Sequence, residues 1–123
     1  MAGETVLVVE DSPTEMSLIL NTLGGSGFRL VTATNGEEAI SKVGSERPSL
    51  VLLDVVLPGK NGFQVCRELK MSPENRHLKV ILLTSKNQES DRFWGLKQGA
   101  DDYVVKPFEG GALLATMKRQ LGL

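Results

Sequence analysis

Residues 50–62, LVLLDVVLPGKNG, decide the fold. Val51, Leu52, Leu53, Val55 and Val56 surround a single carboxylate, Asp54, and the turn formers Pro58-Gly59 end the run. A continuous apolar stretch this short cannot cross a membrane and suits a strand covered on both faces, as in a parallel sheet between layers of helices. An ionised Asp there must be paired, metal-bound or at the sheet's edge, because an uncompensated buried charge is strongly unfavourable. Two readings stay open at this point: an Asp capping the next turn, and a functional acid at the end of a strand.

The rest of the chain repeats the pattern on both sides. Thr5 to Val9 (TVLVV) predicts a first strand, and Pro13 to about Leu23 a helix with Ser12 as N-cap, Pro13 at the first helical position and Glu15 at the third. Met16, Ile19, Leu20 and Leu23 form its apolar stripe, and GGSG from Gly24 ends it. Phe28 to Thr32 is a shorter, less apolar strand, and Asn35-Gly36 opens a helix through about Val43, with Ala39, Ile40 and Val43 on one face. The central strand, about Ser49 to Leu53, leads through the Pro-Gly loop into a helix from about Gly62 through Met71. After the polar loop SPENRH, LKVILLTS supplies a strand ending in Thr84 and Ser85, followed by a helix from about Gln88 to Gln98. DDYVVKP gives the fifth strand, ending in Lys106 and Pro107, and about Glu109 to Leu121 the closing helix, whose first turn Gly110-Gly111 weakens.

Five alternating strands and helices favour right-handed crossovers and an α/β, doubly wound, five-stranded parallel sheet in a three-layer sandwich. The layout is flavodoxin-like, with strand order 2-1-3-4-5 preferred because the second strand is the least apolar and suits an edge. The 123 residues fit one domain and no more. Apolar residues at 41% and charged residues at 24% describe an ordered globular chain. Lys plus Arg number 14 against 15 Asp plus Glu, so a net charge of −1 provides no footprint for nucleic acid or an anionic membrane. The single Cys, Cys66, cannot form an internal disulfide and reads as a packing residue, and no signal or transmembrane segment stands out, so a cytoplasmic location is expected.

In such a sheet ligands bind beyond the carboxyl ends of the strands, where the strand order reverses. Strand one ends in Glu10-Asp11, strand three in Asp54, strand four in Thr84-Ser85 and strand five in Lys106, so these groups converge on one edge. Taken singly, the acids could be caps, Thr84 a satisfied hydroxyl and Lys106 a solvated amine. Taken together, three clustered carboxylates call for a cation, and a hard divalent ion such as Mg²⁺ takes carboxylates, a carbonyl, waters and a phosphoryl oxygen. Lys106 and Thr84 add an ammonium and a hydroxyl, the groups phosphoryl transfer needs, with Asp54 as candidate nucleophile. His77, in a polar loop, reads as ordinary surface.

The motifs VLVVEDS, LVLLDVVLPGKNGF, VILLTS and QGADDYVVKPF, in this order and spacing, make the chain resemble a CheY-type receiver domain of two-component signalling over essentially its whole length. The resemblance implies that Asp54 accepts a phosphoryl group from a sensor histidine kinase or its phosphotransfer domain. It also implies that Asp11, Asp54 and the Val56 carbonyl bind Mg²⁺, with Glu10 acting through a metal-bound water. Thr84 would hydrogen-bond the phosphoryl oxygen, Lys106 would pair with it, Tyr103 would be the aromatic switch, and Lys106-Pro107 would be a cis peptide. The family places its response on helix four, strand five and helix five, so a downstream protein would dock there. Glu10 stands where many members carry Asp, and Val56 and Lys86 hold the positions that tune self-dephosphorylation. The expectation is thus a single receiver, residues 1–123, without an output domain: a signalling switch assisting its own phosphorylation and dephosphorylation. VEDSPTEM and DRFWGLKQGA look most like stand-alone receivers of type IV pilus, twitching-motility chemotaxis-like systems.

Three other readings compete. An aspartyl phosphatase would want a second acid two residues beyond its nucleophile, where Val56 stands. A flavodoxin-like cofactor binder would want a phosphate loop in place of the acidic EDSPTE. A non-phosphorylated scaffold would have no need of Asp54, Thr84 and Lys106. Trp94 is expected to pack under the fourth helix, with an exposed partner anchor as the alternative.

Overall fold

Alternation of side chains along each strand, with period two, builds two separate cores on the faces of one sheet. In the computed structural model, which describes residues 3–123, the elements are β1 (Thr5–Val9), α1 (Pro13–Leu23), β2 (Arg29–Ala33), α2 (Gly36–Glu46), β3 (Leu50–Leu53), α3 (Gly62–Met71), β4 (Lys79–Thr84), α4 (Glu89–Lys97), β5 (Asp102–Val105) and α5 (Gly110–Leu121), with a short 3-10 turn at Pro73–Asn75. All strand pairs are parallel, in the order β2-β1-β3-β4-β5. Val6, Val8, Leu50, Leu52, Ile81 and Leu83 point to one face and bury Ile19 and Leu23 of α1 with Leu113 and Met117 of α5. Leu7, Val9, Val51, Leu53, Val80 and Leu82 point to the other and bury Ala39, Val43, Val65, Cys66 and Leu69 from α2 and α3. Each fully buried Leu or Val stabilises the fold by about 1.5–3 kcal/mol, so the strand interiors carry most of the stability.

The expected topology, β2 at an edge included, is the one observed. Boundaries differ in places, each for a local reason. The second strand is Arg29–Ala33 and not Phe28–Thr32, because its register pairs Val9 with Ala33. The second helix runs past Val43 to Glu46 and stops at Arg47, which has a left-handed φ of 48° and precedes Pro48, a position where continued helix is disfavoured. β5 ends at Val105, one residue before Lys106-Pro107, since proline has no N–H for a sheet ladder. The weak first turn of α5 is compensated by Glu109, whose carboxylate accepts from the Gly111 and Ala112 N–H groups, which hold its pKa below the usual carboxylate value.

Trp94 does not pack under α4; the residue is 51% exposed. The sheet-facing position of that helix is Gly95, where an added Cβ would come within 2.7 Å of Leu82 Cδ1 and 3.0 Å of Tyr103 Cδ2. With 3.6 residues per turn, Trp94 is then rotated about 100° away from the sheet. Cys66 is a buried free thiol, as expected, and burial pushes its pKa up to about 12, while His77 lies on the surface.

Candidate functional site

Three strand ends are extended by one further sheet-like hydrogen bond each, and that places the chemistry. Glu10 N donates to Ala33 O at 3.0 Å, Asp54 N to Val9 O at 3.1 Å and Lys106 N to Thr84 O at 2.9 Å. The backbones of Glu10, Asp54 and Lys106 are therefore held as firmly as the strands they follow. Gly62 fixes the loop beyond Asp54: its N–H donates to Val55 O at 2.8 Å, and its α-carbon lies so close that a Cβ would sit 2.2 Å from the Asp54 carbonyl oxygen. Asn61 and Gln64 complete a capping box there, orienting α3 under the site.

Glu10 is 2% exposed, Asp54 7%, and Thr84 is wholly buried. Lys106 Nζ donates to Glu10 Oε1 at 2.6 Å, to Asp54 Oδ2 at 3.2 Å and to Glu15 Oε1. Burial pushes the Glu10 carboxyl above its ordinary pKa, against the lowering pull of its hydrogen bond from Lys106. Burial alone would lower the Lys106 pKa, but hydrogen bonding to Glu10 and Glu15 and the charge of Asp54 carry it above the normal lysine value. Lys106 is thus a fixed cation holding mutually repelling acids together.

The second Asp54 oxygen, Oδ1, accepts from Val56 N at 3.2 Å, so the backbone orients this carboxylate from behind. Thr84 Oγ1 accepts from Lys86 N at 3.3 Å, and Lys86 O accepts from Tyr103 Oη at 2.9 Å. Tyr103 is buried beside Gly95, and burial, with the Asp91 charge, raises its phenol to about 12. The Lys106-Pro107 peptide is cis.

Of the acids expected at the site, Glu10 and Asp54 meet, whereas Asp11 is exposed on the first turn after β1. The third carboxylate is Glu15, which reads in the sequence as the third residue of a capped helix. Its N–H does donate to the Ser12 hydroxyl, but its carboxylate turns away to Lys106, and Ser12 N donates instead to Glu10 Oε2. Glu10, Glu15 and Asp54 each offer an oxygen, all within 4.8 Å of one another around Lys106; of these, the buried Glu10 and Asp54 are hard-oxygen donors of the kind a divalent cation such as Mg²⁺ takes. Among the described residues no helix is long and apolar enough to cross a membrane.

A family model described as the response regulator receiver domain matches residues 6–118. Over 94% of this chain and 96% of the relative, the sequence is 41% identical to Protein PilH of Pseudomonas aeruginosa. It is also 41% identical to the phosphate regulon transcriptional regulatory protein PhoB of Rhizobium meliloti, of which the chain spans only 51%. Among solved structures, the receiver domain of a sensor histidine kinase from Pseudomonas aeruginosa, with a magnesium ion coordinated in its active site cleft, superposes with a TM-score of 0.90. That match has 30% identity and covers 99% of this chain and all of the other.

Proposed function

The chain belongs to the response regulator receiver family, and from that footing we propose that Asp54 is a phosphoacceptor whose modification switches a protein-binding face. The observation that carries the reading is the convergence of Asp54, Glu10, Thr84 and Lys106 at the carboxyl end of one sheet, on backbones the sheet itself holds. In the transfer, an Asp54 carboxylate oxygen bonds to phosphorus as the bond to a kinase imidazole nitrogen breaks, and the electron pair leaves with the imidazole. Lys106 neutralises the charge that gathers on the phosphoryl oxygens, and the Val56 N–H keeps the carboxylate aimed. Asp11, Asp54, the Val56 carbonyl and, through a water, Glu10 would hold Mg²⁺, which when bound would neutralise further charge on the acids and the phosphoryl group.

The readout runs through hydrogen bonds. A Thr84 hydroxyl that turns to a phosphoryl oxygen gives up Lys86 N, and Lys86 O is the acceptor of Tyr103, which packs on Gly95 of α4. A change at Asp54 would therefore reach the α4–β5–α5 face, where a downstream protein docks. The receiver works as a cytoplasmic switch rather than a metabolic enzyme; its 41% identity to PilH over 94% of the chain supports the switch role. The pathway is the type IV pilus, chemotaxis-like one expected from VEDSPTEM and DRFWGLKQGA, and the 41% identity to PilH supports that too.

Incubation with acetyl phosphate and Mg²⁺, followed by intact-mass measurement, tests the reading. One phosphoryl adduct is expected on the wild type and none on Asp54→Asn. No adduct on the wild type, or the same adduct on the variant, overturns it.

A further inference from the structure

An ammonium group has three N–H donors, and Lys106 spends them on three carboxylates: Glu10, Asp54 and Glu15. An incoming phosphoryl oxygen must therefore compete for Lys106 with the carboxylates already bonded to it. Glu10 and Asp54 cannot move into water, since their side chains are 2% and 8% exposed and their backbones are pinned beyond β1 and β3. Glu15 can: its side chain is 47% exposed, it sits in the first turn of α1, and a rotamer change at its own bonds returns its carboxylate to solvent. Its helix does not depend on that contact, because the Ser12 hydroxyl still accepts from Glu15 N and Ser12 N is satisfied by Glu10.

We propose that Glu15 is a positioning residue that occupies Lys106 in the unmodified protein as an internal stand-in for the phosphoryl group, and that it is displaced when Asp54 is phosphorylated. The inference rests on the phosphoacceptor reading above. Glu15 keeps Lys106 extended over the pocket and, by competing for it, weakens phosphoryl binding. The contact is a partly exposed ion pair, so its loss corresponds to a modest factor, about 2- to 5-fold in affinity.

The test uses beryllofluoride, a non-covalent phosphoryl mimic, titrated by calorimetry into the full chain at saturating Mg²⁺. Glu15→Gln should bind it about 2- to 5-fold more tightly than the wild type, while its far-ultraviolet spectrum stays unchanged. Glu15→Asp retains the charge but shortens the arm by one methylene, so it also releases Lys106 and should bind more tightly. A merely structural role for Glu15 would weaken binding in both variants. Unchanged or weaker binding by Glu15→Gln overturns the proposal, as does tightening in Gln alone with Asp equal to wild type, which would assign the effect to net charge. A wild type that takes no beryllofluoride would overturn the phosphoacceptor reading itself, and this proposal with it.

Discussion

Replacing Gly62 with Ala probes whether the loop beside Asp54 is set by close backbone approach. A Cβ there would lie 2.2 Å from the Asp54 carbonyl oxygen, 2.7 Å from Val55 Cα and 2.8 Å from the Asp54 carbonyl carbon. All three are main-chain atoms, so no side-chain rotation relieves the clash. Relaxed carbon–oxygen contacts begin near about 3.3 Å, so the start of α3 and the Asp54 segment must part by about 1 Å. Parting them breaks the 2.8 Å bond from Gly62 N to Val55 O. That loss is worth about 1 kcal/mol, and overpacking strain adds about 1–3 kcal/mol. The gain in helix propensity returns less than about 1 kcal/mol. The net loss is about 2–3 kcal/mol, or a fall in Tm of about 10 °C for a chain of this size. Thermal and urea denaturation measure it directly. Gly44→Ala is the matched control, since a Cβ there meets nothing within 4 Å on the exposed side of α2. It should stabilise by about 0.5–1 kcal/mol. To the extent that Asp54 takes up this parting, phosphoryl acceptance by Gly62→Ala should fall, by up to about 100-fold for a shift of about 1 Å. A Gly62→Ala protein within about 1 °C of wild type, or a Gly44→Ala control that falls equally, would refute the reasoning.

Tyr103 is the protein's single tyrosine, so its ionisation can be followed cleanly by phenolate absorbance. Burial raises it to about 12, so the native transition should come near 12 and the transition in denaturant near 10. A raised folded-state value means that this stabilising contribution is complete below about pH 10 and disappears as pH rises through about 12. A native midpoint equal to the denatured one would remove Tyr103 from its buried hydrogen bond to Lys86. Lys106→Met leaves Glu10 buried with no cation, and should cost about 3–5 kcal/mol at neutral pH by urea denaturation. Glu10 already has a raised pKa, and losing Lys106 raises it further, so its favourable contribution is greatest at acid pH and is lost as pH rises. The deficit against wild type should thus shrink as pH falls toward 4.5, the ordinary carboxyl value. A deficit independent of pH would contradict the electrostatic role given to Lys106.

How much of this was legible beforehand follows from what each residue's position depends on. Strand and helix identities and the two-faced core are written into local periodicity, because regular elements bury every second or every third-to-fourth side chain whatever their partners; the 2-1-3-4-5 order followed from the weakly apolar second strand together with analogy to other doubly wound sheets. Glu10, Asp54, Thr84 and Lys106 were legible for the same reason: each follows an apolar run, and parallel strands bring their carboxyl ends to one edge. Glu15 was not. Its position in the chain is that of an ordinary N-terminal helix acid, and only the angle of α1 over the sheet brings its long arm to Lys106, 91 residues away. Asp11 differs from its neighbour Glu10 in burial: it lies in the exposed bend just past β1, which the sequence pattern did not distinguish from the buried Glu10. Trp94 and Gly95 follow the same logic. The α4 sequence has too little apolar contrast to declare its buried face, and that face was decided by Tyr103 and Leu82, which leave room beneath the helix for a glycine and nothing larger. Sequence by itself thus determined the elements, the kind of sheet and the acids at its edge, because periodicity is local. Tertiary packing decided which long side chains share Lys106 and which aromatic faces water, because those contacts depend on helix orientation and on rotamers that no local pattern encodes.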